Sequence, residues 1–202
     1  MGRASSRTAR IPPLDPPPSD GVVVLRPWRS QDVPAMTAAC RDPEIQRWTM
    51  VPDGYSEEQA RGFVAHTEEA RDAAASLELA VVDAANADDV LGAVGLVTID
   101  WPGERADVGY WTAPHARRRG VAVRAVRLLS AWAFAHLGLV RLELTPYAGN
   151  GPSERVAERA GYTREGVLRS YFRSKTGLVD VVMYSLLRDD PAAQSATRSS
   201  AS

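Results

Sequence analysis

Arg117, Arg118 and Arg119 stand directly before Gly120, Val121 and Ala122, where a strand pattern gives way to a helical one. The first turn of a helix carries N–H groups without intrahelical partners and the positive end of the macrodipole, so it can hold an anion. Gly120 and the small Ala122 let an anion approach the backbone, and the three arginines add charge. The chemistry expected of such a turn is the binding of a phosphorylated cofactor.

The elements that must position this turn follow from two periods. Ala106, Val108, Tyr110 and Thr112 alternate with Asp107, Gly109 and Trp111, the period of 2 of a strand whose faces see different environments. Ala122, Val126, Leu129, Ala133 and Leu137 then fall on one stripe of a helix. Pro114 cannot continue the strand ladder and closes it. The junction at 105 to 137 is therefore expected to be the active centre.

The 202 residues suffice for one domain with a real core. With 24 Lys and Arg against 25 Asp and Glu the charge is balanced, so global electrostatics lend no support to a nucleic-acid or membrane-surface role. The single cysteine excludes an internal disulfide, and three scattered histidines argue against a metal site. No run reaches the ~18 apolar residues of a membrane span. The N-terminus has no apolar segment of the secretory kind, so the cytoplasm is the expected compartment.

Residues 1 to 20 carry Pro12, Pro13, Pro16, Pro17 and Pro18 and read as a disordered, Pro-rich leader. The domain is expected over 21 to 188, with a disordered tail over 189 to 202. Val22 to Arg26 predicts a first strand, and Ser30 caps a helix with Asp32 in its first turn. Residues 42 to 55 read as a loop that packs on the core or lines a pocket. Ser56 and Gln59 form a capping box for a second helix. Strands are predicted at 77 to 83, 90 to 99 and 105 to 112, with Gly92 and Gly95 marking a bulge or a close approach. After the helix ending near Gly138 come a strand at 140 to 145, a short helix between Pro152 and Gly161, and strands at 167 to 173 and 179 to 187. A helix between the strands at 105 and 140 lets them lie parallel, in a right-handed crossover. The predicted class is α+β: a mixed, mostly antiparallel sheet of about seven strands flanked by about four helices.

This order, with PHARRRGVA at the strand-to-helix turn and NGPSERVAERAGY after the next strand, resembles the GNAT superfamily of N-acetyltransferases, in its RimJ/RimL-like branch. Arg117, Gly120 and Ala122 fit the acetyl-CoA signature of that superfamily. Asn150 and Ser153 fit its Asn-x-x-Ser, Gly161-Tyr162 stands where the short helix ends, and Glu165-Gly166 follows as it often does there. The resemblance covers about residues 22 to 187. It implies transfer of an acetyl group from acetyl-CoA to a primary amine by direct attack in a ternary complex, without metal. By position it implies that Trp111, Thr112 and Ala113 run beside the pantetheine arm, that Arg118, Arg119, Gly120, Val121, Ala122 and Val123 cradle the diphosphate, and that Asn150 bonds the pantetheine amide.

The attacking amine must lose a proton, the tetrahedral oxyanion needs a donor, and the leaving thiolate needs a proton or a strong hydrogen bond. Ser153 is the candidate near the sulfur, unless its hydroxyl serves only to satisfy a helix-start N–H. Glu143, alternating with core residues of its strand, is the candidate base; the alternative is a strand carboxylate paired to an arginine. Asp107 and Tyr147 are lesser alternatives. The acceptor is expected to be a protein N-terminal α-amine or a small-molecule amine, an aminoglycoside-like antibiotic among them. A module using HARRRGVAVRAVR as a basic nucleic-acid-binding helix is the reading from another class, opposed by the apolar stripe on that same helix. The protein is expected to be a monomer or homodimer.

Overall fold

The structure is a computed structural model and describes residues 10 to 194. Strand β1 (Val23–Pro27) leads through a 3-10 turn (Ser30–Asp32) to helices α1 (Val33–Cys40), α2 (Pro43–Trp48) and α3 (Glu57–Asp72). The three predicted strands are β2 (Leu77–Asp83), β3 (Val90–Asp100) and β4 (Arg105–Thr112), paired as an antiparallel meander. A second 3-10 turn (Pro114–Ala116) precedes the central helix α4 (Val121–His136), followed by β5 (Arg141–Leu144) and α5 (Gly151–Ala160). Strands β6 (Thr163–Ser174) and β7 (Gly177–Leu187) close the order. The seven strands make one sheet, β1-β2-β3-β4-β5-β7-β6, in which only β4 and β5 pair in parallel. Helix α4 joins that parallel pair, as the crossover expectation had it.

Helix α4 lies on one face of the sheet because its predicted stripe is apolar. Val126, Leu129 and Ala133 are fully buried, and they cluster with Leu79, Val81 and Leu96. Each burial of a Val or Leu side chain is worth about 1.5–3 kcal/mol. The stripe thus faces the core. Helices α1 and α3 cover the other face, where Met36, Cys40 and Ala60 pack with Ala80, Val82 and Ala93. Local chemistry sets the ends: Ser56 and Gln59 form the predicted capping box of α3, and Gly161 closes α5 with φ 96°.

Four expectations change. Residues 42 to 55 contain α2, because Asp42 accepts from the N–H groups of Glu44 and Ile45 and Pro43 fits the first helical turn. Asp32 forms a buried two-pronged pair with Arg26, at 2.7 and 2.8 Å, where a first-turn helical residue had been expected. The leader was expected to be disordered throughout; residues 1 to 9 lie outside the described residues, but 10 to 20 pack on the domain. Ile11 enters the core, Ser19 bridges Val24, and Asp20 caps the N–H groups of Val22 and Val23. One isoleucine among prolines supplies the apolar contact that composition alone concealed. Likewise Ala193 of the expected tail is buried, with Ala192 standing over Gly161, while residues 195 to 202 lie outside the described residues.

Candidate active site

The sheet opens beside α4. Strands β4 and β5 pair only over Arg105–Asp107 and Arg141–Glu143. Beyond that point β5 follows β7 instead: Val182 N–H donates to the Pro146 carbonyl and Tyr147 bridges Val181. Strand β4 continues to Thr112 along β3. Ala113 N–H donates to Leu91 on β3, so the alternation of peptide groups turns those of Tyr110 and Thr112 toward the gap. Ala113 itself is buried, and the Trp111 ring stacks on Trp28 on the α1–α3 face, 6.2 Å between centroids.

The predicted anion turn lies at the end of this gap. Arg118 and Gly120 both adopt left-handed backbone, φ 62° and 77°, which folds the chain sharply into α4. Gly120 is the cap and offers no side-chain acceptor; Arg124 N–H bonds back to its carbonyl. The N–H groups of Val121, Ala122 and Val123 therefore precede the helical ladder. A Cβ placed on Gly120 would meet nothing within 4 Å, so the space over the turn is open. The turn thus fits a diphosphate at its backbone. Its arginines are less available than the sequence suggested. Arg117 is tied to Asp42 at the start of α2, at 2.5 Å, and Arg119 lies 3.8 Å from Asp83. Arg118 makes no ion pair among the described residues.

Ser153 and Asn150 divide the roles that the sequence left open. Asn150, nine-tenths buried, caps α5 by accepting from Ser153 N–H at 3.2 Å. The Ser153 hydroxyl is thereby free of capping and lies 2.7 Å from the Tyr110 hydroxyl. Burial pushes the Tyr110 phenol up to about 12, against a smaller lowering by the Ser153 bond. A phenol so held stays protonated and can keep a neighbouring hydroxyl oriented as a donor. Tyr110 was not singled out from the sequence, because its place in the file of Ala106 and Val108 marks it as a core residue.

Glu143 stands at the last paired position of β5 but is enclosed by cations. Its Oε1 lies 2.5 Å from Arg141 Nε and 3.8 Å from Arg105 Nη1. Arg141 also grips Glu165 with two bonds of 2.7 Å, and that carboxyl is held at about 2, chiefly by Arg141 and then by Ser185. The arginine-paired alternative therefore describes Glu143 better than a free base. Asp107, opposite Glu143, has its carboxyl raised by burial first and then by the Glu143 charge. Tyr147 packs against Phe172, 5.6 Å between centroids, and its hydroxyl reaches the Met50 sulfur at 3.7 Å. Sequence reasoning also missed Glu78, whose carboxyl burial raises to about 7. It sits over Gly95, the glycine flagged for a close approach, where a Cβ would collide with the carboxylate.

The acetyltransferase (GNAT) domain model matches residues 23–163. The chain is 27% identical over 170 residues to the uncharacterized N-acetyltransferase p20 of Bacillus licheniformis, covering 84% of this chain and 95% of that one. Among solved structures it superposes with TM-score 0.75 and 19% identity on a Salmonella typhimurium acetyl transferase that modifies the N-terminal serine of ribosomal protein L7/L12, over 86% and 98% of the two chains. With Mycobacterium smegmatis RimJ in complex with CoA-disulfide the TM-score is 0.74 at 21% identity, over 86% and 87%. Residues 23–163 are well over half of the chain, so the protein belongs to the GNAT family and is an N-acetyltransferase.

Proposed function

We propose that the cleft between β4 and β5 binds acetyl-CoA and delivers its acetyl group directly to a primary amine, a protein N-terminal α-amine or the amine of a small molecule. The observation that carries this reading is the divergence of β4 from β5 beside an uncapped α4 N-terminus. An extended pantetheine can then bond the Tyr110 and Thr112 peptide groups while its diphosphate meets the amides of Val121, Ala122 and Val123. Arg118 supplies charge above the turn. The likeness to proteins that act on ribosomal-protein N-termini favours the α-amine among the acceptors.

In the reaction the neutral amine nitrogen attacks the thioester carbonyl, the N–C bond forms, the C–S bond breaks, and the proton lost from the nitrogen ends on the departing thiolate. Ser153, oriented by Tyr110, donates to the departing sulfur, and Asn150 holds the turn that presents it. The paired state of Glu143 leaves Asp107 as the β4 carboxylate at the mouth of the cleft.

The test is thermal unfolding with acetyl-CoA. At a hundredfold excess over Kd the ligand contributes about 2.7 kcal/mol, a rise of roughly 5–10 °C for a chain of this size. Gly120→Glu, which sets a carboxylate over the open amides, should abolish most of that rise. An unchanged melting curve of the wild-type protein at millimolar acetyl-CoA would overturn the cofactor assignment.

A further inference from the structure

A second cavity of about 520 Å³ lies between α3 and the β1–β2 edge, apart from the α4 turn. Trp28, Arg29, Val64, Glu68, Arg71 and Glu78 contribute to its walls. The α3 arginines have partners of their own: Arg61 binds Glu57 at 2.6 Å and Arg71 approaches Asp72 at 3.4 Å. Glu78 and Glu68 make no ion pair among the described residues. The indole N–H of Trp28, a residue only 7% exposed, has no hydrogen-bond partner either. The cavity therefore sets the apolar side chains of Trp28, Val33, Val64, Leu77 and Leu79 beside Arg29, Arg61 and Arg71 and beside a partly buried Glu78 carboxylate that makes no ion pair among the described residues.

Its position relates it to the cleft. In the register, Glu78 faces Gly95 on β3, and Gly95 faces Gly109 on β4. The two glycines leave the sheet face low along this row, with only the exposed Val97 side chain leaning over Gly109. Neighbouring strands are about 4.8 Å apart, so a carboxylate lying over Gly95 is about one strand spacing from the strand that borders the gap. Trp28 connects the same places from above, since it lines the cavity and stacks on Trp111.

We propose that this cavity takes the apolar body of the acceptor and that Glu78 receives its ammonium group and accepts its proton. The inference rests on the acetyltransferase reading of the cleft. One N–H proton passes from the ammonium to the carboxylate, leaving a neutral carboxyl and a neutral amine whose lone pair attacks the thioester. A carboxyl raised to about 7 by burial changes charge near neutral pH, which suits such an exchange. The other charged groups at the cavity are Arg29, Arg61, Glu68 and Arg71, and Asp107 shares the sheet face.

The experiment is calorimetric titration of phenethylamine, and of uncharged 2-phenylethanol, into the full chain in the presence of CoA. Wild type should bind the amine, Glu78→Gln should weaken that binding at least tenfold, and Glu78→Asp should recover part of it. Binding of 2-phenylethanol and of acetyl-CoA should stay within twofold in both variants. A wild type that binds no phenethylamine, or a Glu78→Gln protein that binds it as well as wild type, overturns the proposal. Failure of the acetyltransferase reading looks different: the wild type would bind no acetyl-CoA, whatever happens to the amine.

Discussion

Tyr110 and Ser153, 43 residues apart in sequence, bring their hydroxyl oxygens to 2.7 Å. Strand β4 supplies the phenol, and the Asn150 cap leaves the Ser153 hydroxyl unused by the helix. Ser153→Ala should lower kcat by about 100-fold, the low end of the range for a lost proton donor, with little change in acetyl-CoA binding. Tyr110→Phe, which removes only the orienting bond, should cost about tenfold or less. Steady-state rates and acetyl-CoA titrations of both variants check this, and a Ser153→Ala enzyme with the wild-type rate would take the pair out of the mechanism.

Arg117 and Asp42 join the turn before α4 to α2 across 75 residues. Asp42 both caps α2 and holds the guanidinium. Burial raises its carboxyl, but the bonds from Arg117 and from the amides of Ile45 and Glu44 together bring it below the usual carboxylate range. Asp42→Ala should destabilise by about 1–2 kcal/mol, most of it from the lost cap and less from a half-exposed ion pair. That corresponds to a fall in Tm of roughly 2–8 °C. Because the folded carboxyl is lowered, the contribution is full above the ordinary carboxylate value and is lost as pH falls below it. The melting difference between wild type and variant should therefore shrink under acid; a difference independent of pH contradicts the pairing.

Glu78 carries the opposite sign. Its carboxyl, raised by burial from 4.5 to about 7, holds its proton in the folded state where the unfolded chain has lost it. Stability should then fall as pH rises from about 4.5 to about 7, because the unfolded chain binds fewer protons there. Because solvent reaches the carboxylate through the cavity, the change amounts to about 1–2 kcal/mol. Glu78→Gln should be more stable than wild type at pH 8 and about equal at pH 4.5. Denaturant midpoints at the two pH values measure it, and parallel curves for the two proteins would refute the burial of the charge.

How much was legible in the chain depended on the range of the forces involved. The stripe of Val126, Leu129 and Ala133, the alternation of Ala106 and Val108, the capping box of Ser56 and Gln59 and the stop at Gly161 arise within one or two turns or strand residues. Their spacing alone determined helix, strand and boundary. The Gly120 turn was legible for the same reason, since an open helix N-terminus is a property of a few consecutive residues. The partners of charged and polar side chains were not. Sheet register set Glu143 between Arg141 and Arg105, brought Tyr110 to Ser153, and laid Glu78 over Gly95. Packing drew Ile11 out of a proline-rich segment into the core. Sequence by itself determined most of the elements and the open helix N-terminus at Gly120, because periodicity and capping are local. Only the tertiary structure decided which carboxylates are already paired and which, Glu78 among them, have no counter-ion among the described residues, because ion pairs and desolvation depend on groups the chain brings together from far apart.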